Sequence, residues 1–253
     1  MDTIGTIRPS VISPQPASQR AEALERMRYL ALQRRCGVLY GSRGSGKTDL
    51  LNRLDDELSR EAIQVSRINL AGMLPEEIPF QLGGELGLGL PSHTPLIHSW
   101  SLIQDFTQAC SRSGEHHVLM FDQLDRADQS IAPTLERLLT LVNGTFSCLF
   151  ASRPKPERAF RSFIKNQSWM EVKLERLSNE DVSQVFAQEI SSKSQALNLS
   201  SDATSAAKEV TKGRLDKLKR LAELATLAAE AEEIHEINAE IIRALQGEVI
   251  VKS

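Results

Sequence analysis

Cysteine is scarce in this 253-residue chain, with three residues, Cys36, Cys110 and Cys148. They are odd in number and far apart, which excludes a disulfide-stapled scaffold and predicts buried free thiols in a reducing compartment. Aromatic residues make up 5% of the chain, and its two tryptophans, Trp100 and Trp169, offer no stacking platform for single-stranded nucleic acid. No stretch approaches the ~18 consecutive apolar residues of a membrane span. The opening Met1-Asp2-Thr3-Ile4-Gly5 lacks the basic-then-apolar order of a secretion signal. The expectation is a cytoplasmic protein with no direct membrane insertion. An excess of charge of one sign is also missing: the formal charge is −3 and the pI about 6.0, so no global field drives the chain onto nucleic acid or anionic lipid.

What is present begins with length, which suits one sizeable α/β core and a smaller appended domain. Residues Gly41, Ser42, Arg43, Gly44, Ser45, Gly46, Lys47 and Thr48 match the phosphate-loop pattern G-x-x-x-x-G-K-[ST] in full. The apolar run 36–40 before them reads as a buried strand, and 49–54 after them carries helical periodicity. In that order the glycines let backbone N–H groups and a helix N-terminus face an anion, so the chain is expected to bind a nucleoside triphosphate. Lys47 would reach the β- and γ-phosphates, and Thr48 would ligate Mg²⁺.

Along the chain, Pro9, Pro14 and Pro16 among Ser, Thr and Gln predict a flexible or docked tail over residues 1–19. Ala21, Leu24, Met27, Leu30 and Ala31 recur at helical spacing between 19 and 35. Strands are expected at 63–70, 117–122, 146–152 and 169–174, with helices at 73–86 and 96–109 between them. With 36–40 this makes five strands alternating with helices, the pattern of a parallel α/β sheet. The run ending in Asp122 has the form of a Walker B strand, whose terminal carboxylate holds Mg²⁺ opposite the phosphate loop. A strand that simply ends in a turn-favouring Asp is the plainer alternative. Ser152, at the tip of the next strand, fits contact with the γ-phosphate or the attacking water, or an ordinary Ser-Arg-Pro turn.

From Ser178 onward the pattern is helical, with capping residues at 178–181 and helices expected at 202–212, 215–232 and 234–245. The stripe Leu215, Leu218, Leu221, Ala222, Leu224, Ala225, Leu227, Ala228 predicts the core of a four-helix bundle rather than a partner-binding or coiled-coil seam. The basic cluster Lys212, Arg214, Lys217, Lys219 and Arg220 reads as a solvated face or as a phosphate or nucleic-acid contact. Adjacent His116 and His117 would face opposite sides of a strand, and no Cys or carboxylate stands at ligand spacing in the sequence. No metal site beyond Mg²⁺ is expected.

Taken together, residues 41–48, the Phe121-Asp122-Gln123-Leu124-Asp125 strand end, Ala151-Ser152-Arg153, and Lys212-Gly213-Arg214-Leu215-Asp216-Lys217-Leu218 before Glu233-Ile234-His235 resemble the AAA+ ATPases. Within them, the chain looks most like the ExeA-type and TniB/TnsC-type bacterial ATPases. The resemblance implies an ATPase core over 20–177, a helical lid over 178–253, ATP and Mg²⁺ as ligands, and assembly into a ring or filament. It also implies a protein partner, in secretion or envelope assembly for one class and, with DNA, in transposition for the other. Arg214 and Lys217 are the candidate lid cations for the nucleotide. Arg153, Arg158, Arg161 and Lys165 are the candidates for an arginine or lysine acting on a neighbour's nucleotide.

One departure bears on the chemistry. The family's Asp-Glu is Asp122-Gln123 here. A Glu accepts a proton from the attacking water, whereas Gln orients water and takes up no proton at neutral pH. Asp125 would substitute if the turn carries it toward the phosphate; otherwise it caps the following turn. The expectation is a slow ATPase whose catalytic set is Lys47, Asp122, Gln123, Asp125 and Ser152, with a non-hydrolysing, ATP-dependent signalling or binding module as an alternative.

Overall fold

A computed structural model describes residues 19–91, 94–153, 169–194 and 197–250. Five strands, β1 (Cys36–Tyr40), β2 (Gln64–Asn69), β3 (His117–Asp122), β4 (Ser147–Ser152) and β5 (Trp169–Lys173), form one sheet in the order β2-β3-β4-β1-β5. Every pairing is parallel. The central strands β1, β3 and β4 are nearly continuous apolar runs because both faces of a parallel sheet are covered.

Alternation along the strands divides the core into two layers. Val38, Leu119, Phe121, Cys148 and Phe150 point to one face, where α3 (Glu77–Glu85), α4 (Leu96–Ser113) and α5 (Ala132–Val142) pack. Leu39, Val118, Met120, Leu149 and Val172 point to the other, under α1 (Gln19–Leu32) and α2 (Lys47–Arg60). α2 positions the phosphate loop, and it is anchored by Leu50, Leu51, Leu54 and Leu58, all fully buried. Each such burial contributes about 1.5–3 kcal/mol.

The C-terminal region has its own apolar core, built on α6 (Asn179–Lys193), α7 (Ser201–Thr211), α8 (Leu215–Ala231), α9 (Ala239–Ala244) and α10 (Gln246–Ile250). Ser178 opens it with a reciprocal capping box: its hydroxyl accepts from the Asp181 N–H (3.1 Å) and the Asp181 carboxylate accepts from the Ser178 N–H (3.2 Å). The helix expected over 234–245 is not a single helix. Asn198–Leu199 (β6) and Glu236–Ile237 (β7) pair as a short parallel ladder, and the helix starts only at Ala239. Two local features account for this. The Asn238 side chain caps the helix by accepting from the N–H groups of Glu240 and Ile241 (3.0 and 3.1 Å), and the carbonyls of His235 and Ile237 accept from Asn198 and Ser200.

Candidate functional site

The carboxyl ends of parallel strands are where such sheets place ligands. β1 ends at Tyr40, β3 at Asp122 and β4 at Ser152, with Tyr40 opposite Ser152 in register. A cleft of about 370 Å³ opens there, lined by phosphate-loop residues 43, 44 and 46–48, by Asp122, Gln123, Asp125 and Arg153 from the strand ends, and by Leu215, Asp216 and Lys219 from α8.

The loop is shaped by its glycines. Gly44 and Gly46 have φ of 77° and 91°, a left-handed conformation that side chains resist. They also leave room for neighbours: a Cβ on Gly44 would run into Asp216 and Arg214, and one on Gly46 would lie 2.5 Å from Leu215 Cδ2 and 2.6 Å from Arg20 Nη1. The helical region therefore sits directly on the loop, joined by the Leu215 N–H donating to the Gly44 carbonyl at 2.7 Å. Gly41 N–H donates to the carbonyls of Ser152 and Arg153, tying the loop's start to the tip of β4.

Lys47 Nζ donates to the carbonyls of Gly41 (2.9 Å) and Ser42 (3.1 Å), so carbonyl oxygens rather than a carboxylate hold it. Burial pulls its pKa down, opposed by Asp125 and Asp122. Thr48 Oγ1 donates to Asp122 Oδ2 at 2.9 Å, bringing together two residues 74 apart in sequence. Gln123 is left-handed (φ 59°); its N–H donates to Asp122 Oδ1 (2.7 Å), and its Oε1 accepts from Arg126 (3.1 Å). Asp125 Oδ1 accepts from the Arg153 N–H (2.9 Å), and its Oδ2 lies 3.6 Å from the Arg153 guanidinium.

The structure gathers Arg43, Gly44, Gly46, Lys47, Thr48, Asp122, Gln123 and Asp125 around one cleft. Gly41 and Ser42 serve it through their carbonyls, and Ser45 is fully buried beneath it. Ser152 does not line it: its hydroxyl is buried without a hydrogen-bond partner among the described residues, and the next residue, Arg153, faces the cleft instead. Arg214 lies beside Gly44 but is engaged by Asp216, through Nη2 to Oδ2 at 2.6 Å and Nε to Oδ1 at 3.1 Å. Lys217 is not among the lining residues; Lys219 is. Arg158, Arg161 and Lys165 lie outside the described residues.

Sequence reasoning missed a charge junction beside the loop. Asp49 accepts from Arg20 Nη2 (2.8 Å) and from Lys219, while Arg20 Nη1 donates to the Ser45 carbonyl (2.8 Å). This joins α1, the phosphate loop and α8. The signal was helical spacing: Lys219 is one turn after Leu215 and shares its loop-facing side, where Lys217 does not.

Comparison with known proteins agrees with this geometry. A family profile described as AAA domain matches residues 31–155. Among curated proteins, none matches the chain. Among solved structures, Cdc6p from Pyrobaculum aerophilum superposes with a TM-score of 0.72 at 14% identity, over 96% of this chain and 70% of that one. The Aeropyrum pernix ORC1 protein, solved in complex with DNA, gives 0.68 at 14% identity over 95% and 68%. The Thermotoga maritima RuvB Holliday junction branch migration motor gives 0.60 at 15% identity over 90% and 69%. With a phosphate loop facing Asp122 across a five-stranded parallel sheet and a helical region closing the cleft, the chain has the AAA+ P-loop ATPase fold.

Proposed function

We propose that this chain is a slow ATP-dependent switch, which binds Mg·ATP between core and helical lid and passes its nucleotide state to a partner. The observation that carries the reading is the convergence on one cleft of Lys47, the Thr48–Asp122 pair and the lid residues Leu215, Asp216 and Lys219. Thr48 and Asp122 supply hard oxygen donors within 2.9 Å of each other, a donor set that fits Mg²⁺. Held there, Mg²⁺ would supply positive charge that offsets the negative charge of the phosphates. Lys47 and the loop N–H groups hold the phosphates, and the Asp49–Lys219 contact transmits their presence to α8.

Slow hydrolysis follows from the state of the acids. Among the described residues four carboxylates line the cleft, and each is engaged: Asp49 by Arg20 and Lys219, Asp122 by Thr48 and the Gln123 N–H, Asp125 by Arg153, and Asp216 by Arg214. Gln123, where a general base would stand, carries an amide bonded to Arg126. Arg153 is the proposed sensor of the γ-phosphate in cis, with Asp125 orienting it. Ring or filament assembly, with an ExeA-type protein partner, completes the reading.

A second reading, a DNA-associated assembly factor of the TniB/TnsC kind, is favoured by the DNA in the ORC1 relative. The lid's basic cluster weighs against it, because Arg214, Lys219 and Arg220 are each paired with a carboxylate of this chain. Calorimetric titration with Mg·ATP, followed by light scattering with and without duplex DNA, tests both. Tight binding with ATP-driven growth in mass supports the switch; salt-sensitive duplex binding that requires ATP supports the second reading. No nucleotide binding would overturn both.

A further inference from the structure

At the opposite end of β3 from Asp122, three residues that the sequence left unconnected converge. Cys110 lies in the last turn of α4, Glu115 follows the left-handed Gly114 (φ 78°) that ends the helix, and His117 is the first residue of β3. Their ligand atoms all lie within 4.8 Å of one another. Cys110 is 2% exposed and His117 8% exposed, while Glu115 faces solvent. The Gly114 turn brings Glu115 back over the helix end, so Cys110 Sγ lies 3.7 Å from Glu115 Oε2.

Hydrogen bonding explains only part of this cluster. A weak S–H donation to Glu115 accounts for Cys110. His117 is not explained, because its Nδ1 is buried with no hydrogen-bond partner among the described residues. Buried polar groups without partners are uncommon, and ligation of an ion is one of the few ordinary reasons for one. His116, by contrast, faces away and shares a hydrogen bond with Ser147 (3.1 Å).

We propose that Cys110, Glu115 and His117 bind one divalent cation of the Zn²⁺ class, clipping the end of α4 to the start of β3. Thiolate, imidazole and carboxylate together are a zinc set, and the thiolate and imidazole disfavour Mg²⁺ and Ca²⁺, which take oxygen ligands. Bond lengths of about 2.3 Å to sulfur and about 2.0 Å to oxygen give a tetrahedral S···O edge of roughly 3.5 Å, close to the 3.7 Å observed. Three protein ligands leave the fourth position to water, on the side where Glu115 meets solvent. Phe106 and Phe146 flank the His117 ring, at 5.2 and 5.0 Å between centroids, and supply the apolar wall that fixes its orientation. Binding releases the Cys110 thiol proton to solvent. The site is distinct from the nucleotide cleft, since the five-residue rise along β3 separates them by about 16 Å.

The test is titration of the metal-stripped full-length chain with Co²⁺, read by absorbance. The expected result is saturation at one equivalent with a thiolate-to-Co²⁺ charge-transfer band, displaced by Zn²⁺ and unaffected by excess Mg²⁺. Cys110→Ser removes the band. Glu115→Gln, at an exposed position where folding is not at stake, keeps the band and weakens binding by about tenfold or more. Zn²⁺ also raises the melting temperature of the wild type and not of Cys110→Ser. The proposal is overturned by the absence of a thiolate band, by a band that survives Cys110→Ser and so belongs to Cys36 or Cys148, or by unchanged affinity in Glu115→Gln.

Discussion

The two ends of strand β3 are treated differently by the fold. At the carboxyl end, Asp122 is met by Thr48 and by the Gln123 N–H, and each described acid lining the cleft has a partner from another element or a near neighbour. At the amino end, His117 is buried with an unpartnered ring nitrogen beside Cys110 and Glu115. The first end is organised for an anion: its cations Lys47 and Arg43 line the opening while its carboxylates are occupied. The second end gathers a buried thiol and imidazole beside an exposed carboxylate. One six-residue strand thus separates the phosphate-loop cleft from the cluster of Cys110, Glu115 and His117.

The sharpest way to break the carboxyl end is Lys47→Ala. Loss of a charge-assisted contact to phosphate, about 1.5–3 kcal/mol, predicts a drop in ATP affinity on the order of 10²-fold. A fluorescent-nucleotide titration should find it without a comparable fall in unfolding temperature. An undiminished affinity would mean that the cleft is not the nucleotide site.

Next is the junction that joins the phosphate loop to α8. Asp49→Ala leaves Arg20 and Lys219 without their shared acid. Because Asp49 is 16% exposed and Arg20 11%, the loss should approach the partly buried case, about 2 kcal/mol in urea unfolding. Lys219→Ala removes a side chain that is 41% exposed and should cost under about 1 kcal/mol. Equal costs would place the strain elsewhere than at the buried Arg20–Asp49 contact.

The smallest effect sharpens the amino end. Burial lowers the pKa of both His116 and His117. The unfolded chain then binds more protons than the folded one between the lowered values and the ordinary histidine value of about 6.5, so stability falls as pH drops through that window. The slope is bounded by about 1.4 kcal/mol per pH unit for each group. Urea midpoints measured in chelator from pH 7.5 downward should show it. His116→Gln should flatten it, and an unchanged slope would assign the effect to other groups.

The difference between the two ends also explains what could be read from sequence. The phosphate loop is contiguous, and its eight positions carry their own chemistry, so strand, loop and helix were legible together. The central strands β1, β3 and β4 were legible because apolar runs of five or six residues suit strands covered on both faces, and β2 because its residues alternate. The sheet's order, which puts β4 between β3 and β1, leaves no local trace. Lid contacts were partly legible: periodicity identified α8, but Lys219 rather than Lys217 reaches the cleft because α8 docks through the Leu215 side. The extended stretch before Asn238 was hidden, since its apolar residues are compatible with helical spacing and only pairing with β6 makes it a strand. The Cys110 cluster spans eight residues, yet a helix end, a left-handed glycine and a strand start must fold before its spacing becomes that of ligands.

Amide chemistry at Gln123, among described acids that are all engaged, is the proposed reason for slow ATP hydrolysis. Steady-state ATP turnover of the wild type beside Gln123→Glu and Asp125→Asn tests it most directly. The account predicts wild-type turnover below the ordinary ~1–10³ s⁻¹ enzyme range, a rise of about 10²-fold or more on restoring the acid at 123, and little dependence on the acid at 125 beyond its hold on Arg153. Brisk wild-type turnover that collapses in Asp125→Asn would contradict it and make Asp125 the base.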